Sequence, residues 1–202
     1  TVGVFGDRVK RVTNIKGIHN AHIEAAKLAK TSYFYVVDGD AKVVQDFKFA
    51  HTAEEQDVVH VYHSKNPIND LTYGYGGVKL LPTTLTRNMD TTTTDMTTSI
   101  SDKFKVMNEV SNITAFDTDA FSTWKSAFRE CAKLASKTID RQDEGETNER
   151  LKIWTTKANG RFCEHAIRGA NAGMQFGLSN SSDLNLINNF DWLRREYEET
   201  TV

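Results

Sequence analysis

Tyr33-Phe34-Tyr35-Val36-Val37-Asp38-Gly39-Asp40 is the stretch that decides the fold. Five consecutive aromatic and β-branched residues suit a buried strand, and the apolar run stops where two carboxylates flank a glycine. Upstream, across Thr31-Ser32 only, Ile18 to Lys30 carries small or apolar residues at Ala21, Ala25, Leu28 and Ala29 behind the breaker Gly17, which is the spacing of a helix. Downstream, Asp57 to His63 predicts another strand, with Val59 and Val61 on one face and Val58, His60 and Tyr62 on the other. The alternation is the βαβ rhythm of an α/β protein.

Beyond that frame, Ser64 to Leu81 reads as a turn, a glycine-rich loop (Tyr73-Gly74-Tyr75-Gly76-Gly77) and a strand (Val78-Lys79-Leu80-Leu81). The hydroxyl-rich run 91–99 predicts a mobile loop, because short hydroxyl side chains compete with helical backbone bonding. Phe121, Trp124, Phe128, Cys131 and Ala135 form one stripe of a helix that Asp117 or Asp119 can cap. A polar break over 140–148 leads to a short helix over 149–155. Phe162 to Phe176 predicts a helix rich in small residues that Gly177 ends, and Leu184 to Tyr197 an amphipathic tail. The whole is expected to be one domain of 202 residues, with a first half at 1–90 and a helical half at 91–202.

Composition narrows the class. Hydrophobic residues at 39% and charged residues at 26% suit a folded chain rather than a disordered one, and a net charge of -2 supplies no global attraction for nucleic acid. No apolar run approaches the length of a membrane span, and no signal pattern opens the chain. Cys131 and Cys163 lack metal spacing and read as buried free thiols of a reducing, cytoplasmic compartment. The chain begins at Thr1 rather than Met, so a preceding segment carrying the first strand is expected.

Asp38 and Asp40 present hard oxygen donors at the carboxyl end of a strand, where open α/β sheets bind ligands. Such donors suit Mg²⁺ or Mn²⁺, which can bridge a diphosphate. The alternative is an Asp-Gly turn with no ligand. From Lys16-Gly17-Ile18-His19-Asn20-Ala21-His22 through Asp38-Gly39-Asp40, the chain resembles the nucleotide-sugar half of GT-A glycosyltransferases, with Asp38-Gly39-Asp40 in the place of the DxD motif. Gly74-Tyr75-Gly76-Gly77-Val78 resembles the glycine-rich segment lining donor sugar and acceptor. The stretch from Lys16 to about Leu193 is similar to a bacteriophage-encoded branch, through Asn66-Pro67-Ile68-Asn69, Tyr73 to Leu80 and Thr123 to Glu130.

That resemblance implies a GT-A mixed sheet flanked by helices with a helical C-terminal portion. It implies a metal-dependent transfer of a sugar from a nucleotide-sugar, a uridine diphosphate sugar above all, to a hydroxyl. Some phage enzymes of this kind act on hydroxymethylated pyrimidines, which makes double-stranded DNA the favoured acceptor. Donor contacts are then expected from Lys16, Gly17, His19, Asn20, Asp38, Gly39, Asp40, Gly76 and Gly77, and metal contacts from Asp38, Asp40 and a late histidine, His165, with His63 second. Asp117 and Asp119 stand where a general base is usual, although both can serve as helix caps. Tyr73, Tyr75, Trp124 and Arg129 are the candidate acceptor contacts, although the aromatics suit a core equally well. Arg161, Arg168, Lys10 and Arg11 can fork onto phosphate or face solvent. Other readings are a glycan, lipid or protein acceptor, a nucleotidyltransferase, and a non-catalytic or virion-associated nucleotide-binding domain.

Overall fold

The computed structural model describes residues 5–74, 76–137, 143–181 and 183–200. Tyr75 and residues 140–142 of the expected polar break lie outside them. The chain is mixed α/β and divides into two compact units. The first takes the chain up to Lys65 together with Thr72–Thr114, and the second takes Asn66–Leu71 and everything from Ala115 onward.

In the first unit, strands β1 (Tyr33–Val37), β2 (Ala41–Val43), β3 (Val59–Lys65), β4 (Thr72–Tyr73), β5 (Val78–Pro82) and β6 (Phe104–Thr114) make one mixed sheet. Its order is β1-β5-β3-β6-β2, with β4 paired to β3. Helices α1 (Ile18–Leu28), α2 (Thr83–Arg87) and α3 (Met96–Ile100) belong to the same unit. The period-two reading of β3 holds. Val59 and Val61 pack with Leu81, Met96 and Ile100, joined by Phe34 and Val36 of β1, whereas Tyr62 packs with Phe47, Val78 and Leu80, joined by Tyr33 and Tyr35.

The βαβ rhythm does not give a parallel sheet. Among the described residues only β3 and β6 run parallel, and β1 pairs antiparallel with β5 from Tyr33↔Pro82 to Val37↔Val78. β1 and β2 stand at opposite ends of the strand order, yet only the turn from Asp38 to Ala41 separates them, closed by the Ala41 N–H donating to the Asp38 carbonyl at 3.1 Å. The sheet must therefore curl until its two edges meet at this turn. Register shifts of β6 against β3 at Tyr62/His63 and His63/Ser64 supply the bend, because unpaired extra residues kink a strand and increase its twist. The threonine-rich run is not loop throughout, since Asp95 accepts from the Thr97 and Thr98 N–H groups and starts α3 within it.

The second unit holds α4 (Ala120–Ser136), α5 (Glu144–Thr156), α6 (Cys163–Ser179) and α7 (Phe190–Glu199). Asp143 caps α5, so this helix starts inside the expected polar break. α6 runs through Gly177 instead of ending there, because that glycine is a packing position. Cβ atoms added at Gly169, Gly173 and Gly177 would stand 2.3, 2.1 and 2.3 Å from the carbonyl oxygens of Trp124, Phe128 and Ala132. The two series rise together in steps of four, so α4 and α6 run parallel with their backbones in contact. Phe121, Trp124, Phe128, Ile187 and Leu193 form the adjoining core.

Gly173→Ala forces a methyl group onto the Phe128 carbonyl. We expect it to destabilise the protein by about 1–3 kcal/mol in urea unfolding, against the roughly 1 kcal/mol that helix propensity alone would add. Gly39→Ala, with nothing within 4 Å of its added Cβ, is expected to change stability by less than about 0.5 kcal/mol.

Candidate functional site

The site in the first unit is built on Asp38. Its backbone N–H donates to the Gly77 carbonyl at 2.9 Å, which ties the end of β1 to the glycine loop. Lys79, inside the apolar strand β5 and 2% exposed, sends its ammonium to Asp38 Oδ1 at 2.9 Å, to Oδ2 at 2.8 Å, and to the Gly76 carbonyl. A buried ammonium needs such partners. Gly76 has φ +80, a conformation a side chain would strain, and a Cβ on Gly77 would stand 2.6 Å from Nδ2 of the buried Asn112. Asp40 is exposed in the turn. Asp38, Gly39, Asp40, Gly76 and Gly77 thus come together at one corner of the curled sheet.

Helix α1 brings the second group. Gly17 opens it at φ 89, and Asn20 turns back to the Lys16 carbonyl at 3.2 Å. His19 is buried, with Nε2 3.4 Å from the Thr93 hydroxyl. One turn along, His22 Nδ1 lies 2.8 Å from the Ile18 carbonyl. A carbonyl only accepts, so Nδ1 carries the proton. Nε2 is buried with no hydrogen-bond partner among the described residues, 3.7 Å from Asp38 Oδ1. Burial, reinforced by the Lys79 charge and opposed by Asp38, lowers the His22 pKa from 6.5 to about 4, so the imidazole is neutral at pH 7.

A cleft of about 370 Å³, within the range of small-ligand sites, is lined by Arg8, Lys10, Arg11, His22, Asp38 and Gly39 with apolar atoms of α1 and β1. Arg8, Lys10 and Arg11 are exposed at its wall. Sequence reasoning missed His22 and Lys79. The available signals were a lysine interrupting Val78-Lys79-Leu80-Leu81 and a histidine in line with Ile18 and Ala25 on the helix.

The remaining candidates belong to the second unit. Asp117 is exposed, and so is Asp119, which caps α4 by accepting from the Ser122 N–H at 2.8 Å and its hydroxyl at 2.7 Å. Those bonds hold Asp119 below the usual carboxylate range. Trp124 is fully enclosed and stacks on Phe128 at 4.8 Å. Arg129 donates to the Ile187 carbonyl and to Asn188, and His165 Nδ1 is shared by Arg168 at 3.0 Å and the Tyr197 hydroxyl at 3.2 Å. In the first unit, Tyr73 is 5% exposed and therefore a core ring, and His63 sits half-buried on β3.

The donor set does not fit a divalent ion as arranged. The Lys79 ammonium already spans both oxygens of Asp38, a second cation there would meet its repulsion, and among the described residues no group of three or more His, Cys, Asp or Glu side chains is gathered for a metal. Cys131 is buried, Cys163 half-buried, and both are free thiols. No helix among the described residues is long and apolar enough to cross a membrane.

No family model, curated protein or solved structure matches the chain.

Two stability measurements probe the site. Asp38→Ala strands a buried ammonium and is expected to cost about 3 kcal/mol, the low end for a broken buried pair because the Asp38 side chain is 28% exposed. Lys79→Met combined with Asp38→Ala is expected to recover most of that loss in the same denaturant titration. His22 gives the second. Between pH 6.5 and about 4 the unfolded chain takes up a proton here that the folded chain refuses, so stability falls as pH drops through this window, by roughly 3 kcal/mol. Comparing pH profiles of wild type and His22→Gln isolates that contribution, which is expected to vanish in the variant.

Proposed function

We propose that the chain is a glycosyltransferase that binds a nucleotide-sugar, a uridine diphosphate sugar, in the cleft beside α1 and β1 and transfers the sugar to a hydroxyl acceptor. The observation that carries this reading is the cleft, in which Arg8, Lys10 and Arg11 line a space of about 370 Å³ that reaches Asp38-Gly39 at the carboxyl end of β1. A wall of cations suits a diphosphate, and the volume suits a nucleotide. The resemblance of Lys16 to Asp40 to the donor half of GT-A enzymes supports the same assignment.

In this chemistry the three cations meet the donor phosphates and stay with the leaving nucleotide as the bond from the anomeric carbon to oxygen breaks, where negative charge grows. The acceptor hydroxyl gives its proton to a carboxylate. The hydroxyl oxygen bonds to the anomeric carbon as that proton leaves. The acceptor we favour is a hydroxymethylated pyrimidine in double-stranded DNA, on the resemblance to the phage branch. The Lys79 pairing of Asp38 favours one second reading, a nucleotide-binding domain without transfer.

Incubation with a panel of nucleotide-sugars, against hydroxymethylated DNA, plain DNA and glycan acceptors, followed by mass spectrometry, tests this. Sugar on the hydroxymethylated base with release of uridine diphosphate is the expected result, and Arg8→Glu with Arg11→Glu is expected to weaken donor binding at least tenfold, more at low salt. Transfer to glycan alone would overturn the DNA acceptor. Binding without turnover would favour the second reading, and release of pyrophosphate from UTP in a parallel incubation with a sugar 1-phosphate would identify a nucleotidyltransferase.

A further inference from the structure

We infer that His22 is a ligand-binding residue, its Nε2 acting with the Asp38 carboxylate as a paired acceptor for a vicinal diol of the molecule bound in the cleft. This rests on the nucleotide-sugar reading above. Nε2 is buried and lacks a hydrogen-bond partner, and the residue, 5% exposed, lines the cleft. The proton on Nδ1 is committed to the Ile18 carbonyl, so Nε2 presents a bare lone pair. What it faces is another acceptor, Asp38 Oδ1, at 3.7 Å, too far for a hydrogen bond and with no proton to share. Two acceptors set side by side call for donors that approach both from the cleft, and a native structure rarely leaves a buried acceptor unmet.

Both acceptors are fixed before any ligand arrives. The Ile18 carbonyl holds the imidazole, and the Lys79 ammonium holds the carboxylate by both oxygens. The other groups around the imidazole, Lys79 and His19, leave Nε2 without a donor bond. Adjacent hydroxyls on one sugar ring supply two O–H donors at matching separation, one for each acceptor, whereas a deoxy sugar supplies one. Such a diol occurs on the ribose of the nucleotide and on the sugar to be transferred, and the ligand series separates them.

Calorimetric titration with UDP, 2′-deoxy-UDP, UDP-glucose and UDP-2-deoxyglucose tests the assignment on wild type, His22→Asn and His22→Gln. Asparagine keeps a donor for the Ile18 carbonyl and removes the acceptor, whereas glutamine places an oxygen near the position of Nε2. In wild type, one deoxy ligand is expected to bind roughly tenfold more weakly than its parent, and the responding pair names the ribose or the hexose. His22→Asn is expected to lose about tenfold on the parent ligand and to stop discriminating, with discrimination restored in His22→Gln. If wild type binds UDP and UDP-glucose but ignores both deoxy changes, or if His22→Asn discriminates as wild type does, the assignment is wrong while the nucleotide reading survives. If no nucleotide binds wild type, both fall. The wild-type ligand comparison decides even where a variant is unstable.

Discussion

A lysine in the middle of an apolar strand constrains the first unit. Lys79 sits in β5 with neighbours chosen for burial, and its ammonium cannot stay there alone. Asp38 answers it, and in doing so fixes where β1 ends, how the chain turns toward β2 and how close the glycine loop comes. The pair stands at the corner where the edges of the sheet meet. So does the cleft, because the carboxylate held by Lys79 is the one that lines it beside His22. A stabilising ion pair and the wall of the cleft thus share one residue.

The second unit is held together differently. Glycines four residues apart on α6 let its backbone touch that of α4, and the aromatic residues beside the seam fill the space that larger side chains would have taken. Trp124 and Arg129 are absorbed by this architecture, one enclosed in the core and one pinning the segment at Ile187 and Asn188. Asp119 likewise serves helix α4. Asp117 is exposed just ahead of that helix.

Much of the fold was legible because periodicity reports burial directly. The faces of β3, the strand at Tyr33–Val37, the stripe on α4 and the helix opened by Gly17 all follow from residue spacing. Strand order was not legible, since pairing partners distant in sequence leave no local mark, and the antiparallel partner of β1 came from beyond the next strand. Gly177 was misread as a stop because a glycine that ends a helix and one that admits a neighbouring helix look alike in one dimension. At the site, the Asp38-Gly39 turn stood out for its position after an apolar run. Lys79 and His22 did not, because their roles arise from what the fold sets beside them: a carboxylate forty-one positions away for the lysine and the same carboxylate, across the helix, for the histidine.

Where a nucleotide binds decides whether the cleft beside α1 and β1 is its site. An NMR titration of the 22.8 kDa chain with UDP, following backbone amides, reads this directly. Shifts concentrated at residues 8–12, along α1 and at Val37 to Gly39 are the predicted result. Shifts confined to residues beyond Ala115, or none at saturating UDP, would contradict it.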